Sequence, residues 1–160
     1  GGSGAALGHD GVDAIATDMT NGMSIPAEAL EMEAPIRLLR SELRDGSGGA
    51  GRFRGGLGLV REYLVLHGTA RLSHRGERHF SPAPGLAGGG AGATSHSEIR
   101  RADGRVEVIQ SKLVTTLETG DRVYIETPGG GGYGHAGERD AAACAEDLRN
   151  AKVKADAPAT

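Results

Sequence analysis

Residues 125–134 read IETPGGGGYG, so four consecutive glycines stand between a proline and a tyrosine. A run of this kind can cradle a phosphate, serve as a flexible linker, or form a packed segment in which backbones approach one another closely. The run follows a predicted strand, has no helix directly after it and has no lysine nearby, which argues against a phosphate cradle. We interpret it as a tight closing turn after the last strand, where absent side chains let backbone approach backbone or a neighbouring subunit.

Glycine dominates the composition, with 28 of 160 residues, whereas hydrophobic residues make up 38% and aromatic residues only 3%. Glycine usually contributes about 7% of a protein. An ordered glycine loses more backbone entropy on folding than any other residue. The chain is therefore a poor candidate for an independently stable domain, and we expect part of its surface to pack on other protein.

Charge and hydropathy exclude two classes of partner. The formal net charge is −3, which provides no general attraction to nucleic acid. No window approaches the roughly eighteen apolar residues of a membrane span, so we expect no membrane contact. The single cysteine, Cys144, is interpreted as a small packed side chain in a helix, and its isolation fits a reducing, cytoplasmic compartment.

The residue pattern predicts a mainly β chain with one short helix early and one late, an α+β class. The first helix is predicted near residues 25–33, because Pro26 suits a first turn and Pro35 stops the helix-forming run AEALEME. The run IRLLRSELR that follows is predicted as a strand. The broad loop RDGSGGAGRFRGG comes directly after it.

The remaining chain divides into three parts. Residues 1–137 are predicted as the mainly β region, residues 138–154 as a terminal helix, and residues 155–160 as a frayed tail. The helical segment is rich in alanine and charge, and its few apolar anchors are Ala142, Leu148 and Val153.

Three turns containing glycine are predicted to join neighbouring strands into hairpins. His67–Gly68 separates LVREYLVL from TARLSHRG, and Thr119–Gly120–Asp121 separates KLVTTLE from RVYIE. Asp103–Gly104, between two alternating runs, is the strongest hairpin signal in the chain.

Neither standard phosphate-binding motif is present. A P-loop requires a lysine directly behind its glycines, and none of the three lysines stands in such a place. The stretch GGAGRFRGGLGLVRE leads into strand-forming residues and lacks the spacing of a dinucleotide-binding loop. We therefore expect no nucleotide cofactor to bind to this chain alone.

Candidate metal ligands are also poorly placed in the sequence. His74 and His79 are five residues apart, with two arginines between them that would repel a cation. His9 is followed by Asp10 and Asp13, but in a glycine-rich stretch without a fixed geometry. We therefore interpret these side chains as structural or solvated and expect no metal site.

The stretch 37–62 alternates six arginines with three acidic residues. Because guanidinium forks bind carboxylates well, these residues can pair inside the fold or across a subunit contact. A solvated face with ordinary surface ion pairs explains the same pattern.

Taken in order, the segments GGSGA, DGVD, MTNGMSIPAEALE, ELRDGSGGAGRFRGGLGLVRE and ETPGGGGYG resemble the C-terminal end of the hydantoinase B/5-oxoprolinase family. The resemblance extends over about residues 1–150. The family includes the B subunits of N-methylhydantoinases, the second half of 5-oxoprolinases, and a subunit of acetone and acetophenone carboxylases. It implies that this chain is a C-terminal piece of a subunit several times longer, in which the glycine run is no flexible linker.

The resemblance also implies a function. The complete enzyme would couple ATP cleavage to the opening of a small cyclic amide such as a hydantoin or 5-oxoproline, with phosphorylation of the amide oxygen lowering the barrier. ATP and a divalent metal would bind outside this chain, to a hydantoinase A-type subunit and to the missing N-terminal part of the B subunit. The isolated chain would be inactive. Two alternatives remain open. In the first, the chain is part of an ATP-dependent ketone carboxylase; in the second, it is a structural or interaction domain without chemistry.

Five residues match the family pattern and are our candidates for a catalytic role: Asn21, Glu28, Glu31, Arg61 and Glu62. Each also has a structural interpretation. Asn21 suits a turn, Glu28 and Glu31 suit the exposed face of a helix, and Arg61 and Glu62 are neighbours on a strand. Asp18 stands where relatives usually have a histidine, a departure that indicates a divergent substrate or a weakened enzyme.

Overall fold

A computed structural model describes residues 1–16 and 22–153. Asp18, the candidate Asn21 and the predicted tail 155–160 lie outside the described residues. The strands are β1 Ile36–Leu43, β2 Leu59–Val65, β3 Thr69–Arg75, β4 His96–Arg100, β5 Val106–Val108, β6 Lys112–Glu118 and β7 Arg122–Glu126. The helices are α1 Ala27–Glu33, a short 3-10 helix Ala136–Glu138, and α2 Ala141–Arg149. The predicted class, mainly β with one short helix early and one late, is confirmed.

The strands form two antiparallel sheets that enclose one core. The larger sheet has the order β1-β2-β7-β4-β5, and the smaller sheet pairs β3 with β6. Alternate residues of each sheet face the other sheet, and burying these apolar side chains stabilises the arrangement. The buried cluster between the sheets contains Val65, Ile99, Ile109, Leu117 and Val123.

One of the three predicted hairpins is confirmed and two are wrong. β4 and β5 pair directly across Asp103–Gly104. By contrast, the strands on either side of His67–Gly68 lie in different sheets, and so do those around Thr119–Gly120–Asp121. Gly68 and Gly120, with φ of 70° and 87°, turn the chain at corners between the sheets.

The two corners lie side by side. The N–H of Gly120 donates to the carbonyl of Val65 over 2.9 Å, and the Thr119 hydroxyl donates to the carbonyl of Gly68 over 3.2 Å. A glycine-containing turn suits a hairpin and a corner equally well, so the sheet to which each strand belongs is decided by its distant partners.

Helix α2 is held by charge and not by the predicted apolar anchors. Asp140 caps it by accepting hydrogen bonds from the N–H groups of Ala142 and Ala143. Leu148 is 53% exposed, and the buried residue of the helix is Asp147. The predicted anchoring is therefore wrong, because a helix this poor in apolar side chains has little apolar area to bury.

The glycine run is an extended segment and not the tight turn that we predicted. Residues 127–132 form neither strand nor helix, and positive φ appears only afterwards, at Gly134. The predicted close approach of backbones is confirmed, since a Cβ at any of the four glycines would overlap backbone of a neighbouring segment. The blocking carbonyl oxygens belong to Ser47 for Gly129, Ser3 for Gly130, Pro84 for Gly131 and Ala50 for Gly132.

A three-residue period organises these contacts. The N–H groups of Gly129 and Gly132 donate to the carbonyls of Ala93 and Gly90, respectively. The two donors are three residues apart in sequence, and so are the two acceptors. Such a period is typical of extended chains with three residues per turn, whose hydrogen bonds all go to neighbouring segments. We call this assembly the glycine bundle; it comprises residues 1–5, 47–51, 54–58, 84–93 and 129–132.

Candidate functional site

The larger sheet has one face turned away from the core, which we call the open face. Most of its residues are polar, and the apolar ones are Val60, Leu64, Val106 and Val108. The polar residues occupy paired positions on β1, β2, β7 and β4: Arg40, Glu42, Glu62, His96, Glu98, Arg100, Arg122, Tyr124 and Glu126. At one end, the open face, the glycine bundle and helix α2 border a cleft of about 880 Å³. This cleft is the candidate functional site, because it combines concave shape with converging charged groups.

A chain of three polar side chains forms the sheet wall of the cleft. The hydroxyl of Tyr124 donates to the carboxylate of Glu126 over 2.7 Å. The other oxygen of that carboxylate lies 2.7 Å from Nη2 of Arg44. Nη1 of Arg44 donates to the carbonyls of Thr94 and Thr127 over 2.6 and 3.3 Å, so the guanidinium is fixed by backbone of the glycine-rich end.

These contacts change the proton affinity of Tyr124. Burial, followed by the hydrogen bond to the Glu126 carboxylate, raises the pKa of the Tyr124 phenol above its ordinary value. The guanidinium of Arg100 lies 4.5 Å from the ring centroid of the same tyrosine. The phenol is therefore a neutral hydrogen-bond donor at physiological pH, held between an acid and a cation.

Further along the open face, acids and arginines form a ladder. Glu98 accepts from His96 over 3.1 Å and from Arg100 over 2.6 Å. The hydrogen bond from His96, together with that from Arg100, holds the pKa of Glu98 below its ordinary value. Glu62 lies 3.4 Å from Arg100, so the ladder continues onto β2.

The far wall of the cleft contains a buried ion cluster. Arg54 is 4% exposed and lies 3.3 Å from the carboxylates of both Asp13 and Asp147. Arg139 contacts Asp10 and Asp147 over 2.7 Å each. Asp10 and Asp13 therefore have a fixed geometry as partners of arginine, which the glycine-rich sequence around them did not predict.

Among the arginines of stretch 37–62, two pair with carboxylates inside the fold and two pair at the surface. Arg44 and Arg54 bind carboxylates from β7 and α2, far away in sequence. Arg40 pairs with Glu42 on the same strand, where both side chains are about half exposed. Both interpretations of the pattern thus hold, each for different residues.

Cys144 is exposed and lines the cleft, so its interpretation as a packed side chain is wrong.

Among the described residues, no hydrogen bond or ion pair joins any two of the predicted site residues Glu28, Glu31, Arg61 and Glu62. Glu28 is exposed on α1, and Glu31 on the same helix accepts a hydrogen bond from the N–H of Leu38 over 2.9 Å. Nη2 of Arg61 donates to the hydroxyl of Ser24 over 2.7 Å. Glu62 points to the open face, and because neighbours on a strand face opposite sides, Arg61 and Glu62 cannot share one site.

The residues that line the cleft were missed at the sequence level. RVYIE alternates Arg122, Tyr124 and Glu126 on one face of a predicted strand, and this polar stripe was the signal that could have indicated them. Arg44 carried no such signal, since its partner Glu126 is remote in sequence.

The glycine run offers no site for the phosphates of ATP. The N–H groups of Gly129, Gly130 and Gly132 already donate to the carbonyls of Ala93, Gly56 and Gly90.

Within residues 1–16 and 22–153, no group of three or more His, Cys, Asp and Glu side chains has the arrangement of a metal centre. No helix in the same ranges is long and apolar enough to cross a membrane.

Comparison with known proteins places this architecture in one family. The family model described as hydantoinase B/oxoprolinase matches residues 1–136. The caprolactamase subunit beta of Pseudomonas jessenii is 35% identical over 141 residues, which cover 84% of this chain and 24% of that protein. The 5-oxoprolinase of Dictyostelium discoideum is 34% identical over 134 residues, which cover 84% of this chain and 10% of that protein.

Solved structures agree with these relatives. The crystal structure of the ATP-dependent caprolactamase from Pseudomonas jessenii matches 97% of this chain and 28% of its own chain, with a TM-score of 0.81 and 30% identity. A nucleotide-free acetone carboxylase structure matches 96% of this chain and 25% of its own, with a TM-score of 0.77. Its identity of 20% shows a shared fold alone.

The chain thus spans about a quarter of the caprolactamase subunit and a tenth of the 5-oxoprolinase. The predicted family is confirmed over nearly the same residues that carried the resemblance. Because the family model covers most of the sequence and named relatives exceed 30% identity, the chain belongs to the hydantoinase B/oxoprolinase family.

Proposed function

We propose that this chain is part of a cytoplasmic, ATP-dependent hydrolase of small cyclic amides, and that it acts together with a hydantoinase A-type subunit and the remainder of a B-type subunit. The observation that carries the proposal is the match of almost the entire chain to one segment of an ATP-dependent caprolactamase. The residues around the cleft supply the local argument, because they form a fixed polar surface.

The role of the chain in this enzyme is to hold polar groups in place around the cleft. The hydroxyl of Tyr124 is fixed by its hydrogen bond to Glu126, which in turn is fixed by Arg44. Because its single hydrogen is donated to Glu126, the hydroxyl oxygen of Tyr124 is left as an acceptor, which suits the N–H of a cyclic amide. The buried cluster of Arg54 and Asp147 keeps the opposite wall in place.

The candidate residues Glu28, Glu31, Arg61 and Glu62 remain predictions within this proposal, together with Asn21. Arg61 has the strongest structural support. Its Nε atom is buried and has no hydrogen-bond partner among the described residues, while its Nη2 holds Ser24. A buried donor without a partner is costly, so a group supplied by substrate or by the rest of the enzyme would stabilise it.

A structural or interaction role is a second candidate, and exposed apolar side chains favour it. Met23, Ile25 and Met32 at helix α1 are 95%, 67% and 86% exposed, and no residue of this helix is buried. Apolar groups gathered in this way are typical of surfaces that pack on other protein. The two candidates are compatible if this surface contacts the remainder of the B-type subunit.

The deciding experiment is a chimeric enzyme. The matching segment of the Pseudomonas jessenii caprolactamase subunit beta is replaced by this chain, the product is co-expressed with the other caprolactamase subunit, and lactam-dependent ATP hydrolysis is measured. We expect ring opening to persist in the chimera and no lactam-dependent ATP hydrolysis by the isolated 160-residue chain. A chimera that assembles but neither opens the ring nor cleaves ATP would contradict the proposal, whereas ring opening that survives replacement of Tyr124, Glu126 and Arg44 would favour the purely structural role.

A matched pair of variants tests the cleft within the same chimera. Tyr124→Phe removes the hydroxyl that donates to Glu126, whereas Tyr133→Phe removes a hydroxyl that does not line the cleft. We expect the first variant to lower turnover and the second to leave it unchanged. Equal activity in both would exclude a direct role for Tyr124.

A further inference from the structure

The smaller sheet has an outer face that no part of the described chain covers. Ala70, Leu72 and Leu113 pack against the core, so the alternate residues of β3 and β6 point away from it. Three successive cross-strand pairs on that side, all exposed, form a surface that we call the basic face: Arg71 with Thr116, Ser73 with Val114, and Arg75 with Lys112.

The cations of the basic face lie close together. Arg75 and Lys112 are directly opposite each other, and the Cβ atoms of such pairs are about 5 Å apart. Arg71 is four residues from Arg75 on the same strand, about 13 Å away. The nearest acid on this side of the sheet is Glu118, one pair further along and opposite Thr69. Positive charge is therefore concentrated here, although the net charge of the chain is −3.

The open face handles its arginines differently. There, Arg40 pairs with Glu42, and both Arg100 and Arg122 pair with Glu62. Among the described residues, no carboxylate forms an ion pair with any cation of the basic face. Like charges directly opposite each other destabilise a sheet. The basic face is thus unfavourable within this chain and becomes favourable when a partner supplies carboxylates.

An extended acidic polypeptide suits the basic face better than a nucleic acid. None of its six residues is aromatic, whereas single-stranded nucleic acids are bound largely by stacking on aromatic side chains. Guanidinium forks bind carboxylates through paired hydrogen bonds. The pair of Ser73 and Val114 lies between the two arginines, and Val114 is 55% exposed.

The spacing on the basic face matches an extended chain. Residues i and i+4 of such a chain lie on one side, about 13 Å apart, with residue i+2 between them. A segment with the order acid-x-apolar-x-acid therefore places its two carboxylates at Arg71 and Arg75 and its apolar side chain at Val114.

Most of a related B-type subunit lies outside the region that this chain matches. The matching region is 24% of the caprolactamase subunit beta of Pseudomonas jessenii. Parts of one polypeptide meet at a high effective concentration, so a few exposed ion pairs are enough to hold them together. We propose that the basic face docks an extended acidic segment of the remainder of the B-type subunit. Naming that source rests on the proposed function, whereas no residue of the basic face lines the cleft.

Fluorescence anisotropy of a labelled peptide tests the basic face in the full 160-residue chain. The peptide repeats Glu-Thr-Val-Thr three times, which gives the spacing of acids and apolar side chains described above. We expect a Kd below about 100 μM in about 50 mM NaCl, and binding at least about tenfold weaker to Lys112→Glu. The control is Arg149→Glu, the same change of charge at an exposed position on α2, which should leave the Kd within about twofold. No binding by the unsubstituted chain, or equal binding by Lys112→Glu, would overturn the proposal.

Thermal unfolding of the same variant without peptide provides a second readout. Lys112→Glu replaces a like-charge pair by an attractive pair with Arg75, so its Tm should be higher than that of the unsubstituted chain. The increase should shrink in about 0.5 M NaCl, because salt screens exposed charges. Weaker peptide binding together with higher stability is the signature of a surface arranged for a partner. A Tm that is unchanged or lower would contradict the unneutralised pair on which the proposal depends.

Two comparisons identify the occupant. A twelve-nucleotide oligothymidylate should bind at least about tenfold more weakly than the peptide, and equal or tighter binding would assign the face to nucleic acid. Immobilised caprolactamase subunit beta without its matching segment should retain the unsubstituted chain and retain Lys112→Glu less. Retention by the other caprolactamase subunit alone would contradict the source that we propose. These binding readouts do not depend on catalysis, so failure of the hydrolase proposal is distinguishable from failure of this one.

Discussion

Arg139 donates to both carboxylate oxygens of Asp10, over 2.8 and 2.7 Å, and so joins two residues that are 129 positions apart. The same guanidinium contacts Asp147, which also binds Arg54 from the interior. Residues 8–13, the glycine bundle and helix α2 therefore meet in one ion cluster. This cluster holds α2 on a domain that offers the helix few apolar contacts.

Asp147→Asn should destabilise the fold strongly. The substitution removes the charge that two arginines share, and leaving a buried ion without its partner costs about 3–5 kcal/mol. Urea unfolding measures the change in free energy of unfolding. The neighbouring Glu146→Gln, exposed on the same helix, is the control and should change it by less than about 0.5 kcal/mol. Similar values for the two variants would show that the cluster contributes little.

Gly131→Ala should be poorly tolerated although it adds one methyl group. The new Cβ would overlap the carbonyl of Pro84, and this segment of the glycine bundle has backbone on several sides. We expect a loss of about 3 kcal/mol or more, at the upper end of single substitutions. Gly137→Ala is the matched control, because a Cβ there meets nothing within 4 Å. Its unfolding midpoint should stay close to that of the unsubstituted chain, and equal behaviour of the two variants would contradict the bundle packing.

Acid should weaken the fold partly through Asp121, which is 3% exposed. Burial acts to raise the pKa of Asp121, but hydrogen bonds from the N–H of Glu118, from Arg101 and from the N–H of Ala102 outweigh it and hold the pKa below its ordinary value. Since the folded pKa is the lower one, this stabilisation is present above the unfolded pKa of about 3.9 and is lost as pH falls through the folded pKa.

Asp121→Asn isolates that contribution. The variant should be less stable than the unsubstituted chain at pH 7, and the difference between the two should shrink as the pH falls below about 4. Denaturant unfolding at a series of pH values measures it. A difference that stays constant from pH 7 to pH 2 would show that the carboxylate is not responsible.

Tyr124 should ionise above the ordinary pKa of a tyrosine. Its pKa is raised by burial and by the Glu126 carboxylate, so Glu126→Gln should move it toward the ordinary value of 10.0. Ultraviolet titration of tyrosinate measures this, with Tyr124→Phe to identify the step. If Tyr124→Phe removes a step at or below pH 10, the arrangement of the phenol and carboxylate is not the one described.

Arg61→Ala in the chimeric enzyme should lower turnover by about 100-fold while leaving assembly intact. Its Nη2 positions Ser24, and misplacement of a positioned group by about 1 Å can cost that much. Size-exclusion chromatography of the co-expressed subunits reports assembly, and lactam-dependent ATP hydrolysis reports turnover. Loss of both together would assign Arg61 to the scaffold.

Much of the local structure was predictable from the sequence because it depends on nearby residues. Pro26 and Pro35 bracket α1, and Asp103–Gly104 closes its hairpin, through backbone preferences that act within a few positions. The glycine-rich motifs also identified the family, because only related chains carry them in this order along the chain. The candidate site was not predictable in this way, because Arg44 meets Glu126 and Arg139 meets Asp10 across long stretches of chain.

The sequence by itself therefore determined the mainly β character, one helix at each end, one hairpin and the family. Only the tertiary structure decided that Gly68 and Gly120 are corners between sheets, that the glycine run is an extended segment of the glycine bundle, and that Asp147 holds α2. The physical reason is common to all three. A glycine can adopt many backbone conformations, and a charged side chain can pair with many oppositely charged groups. The residues that pack nearby from distant parts of the sequence therefore select one conformation or one partner.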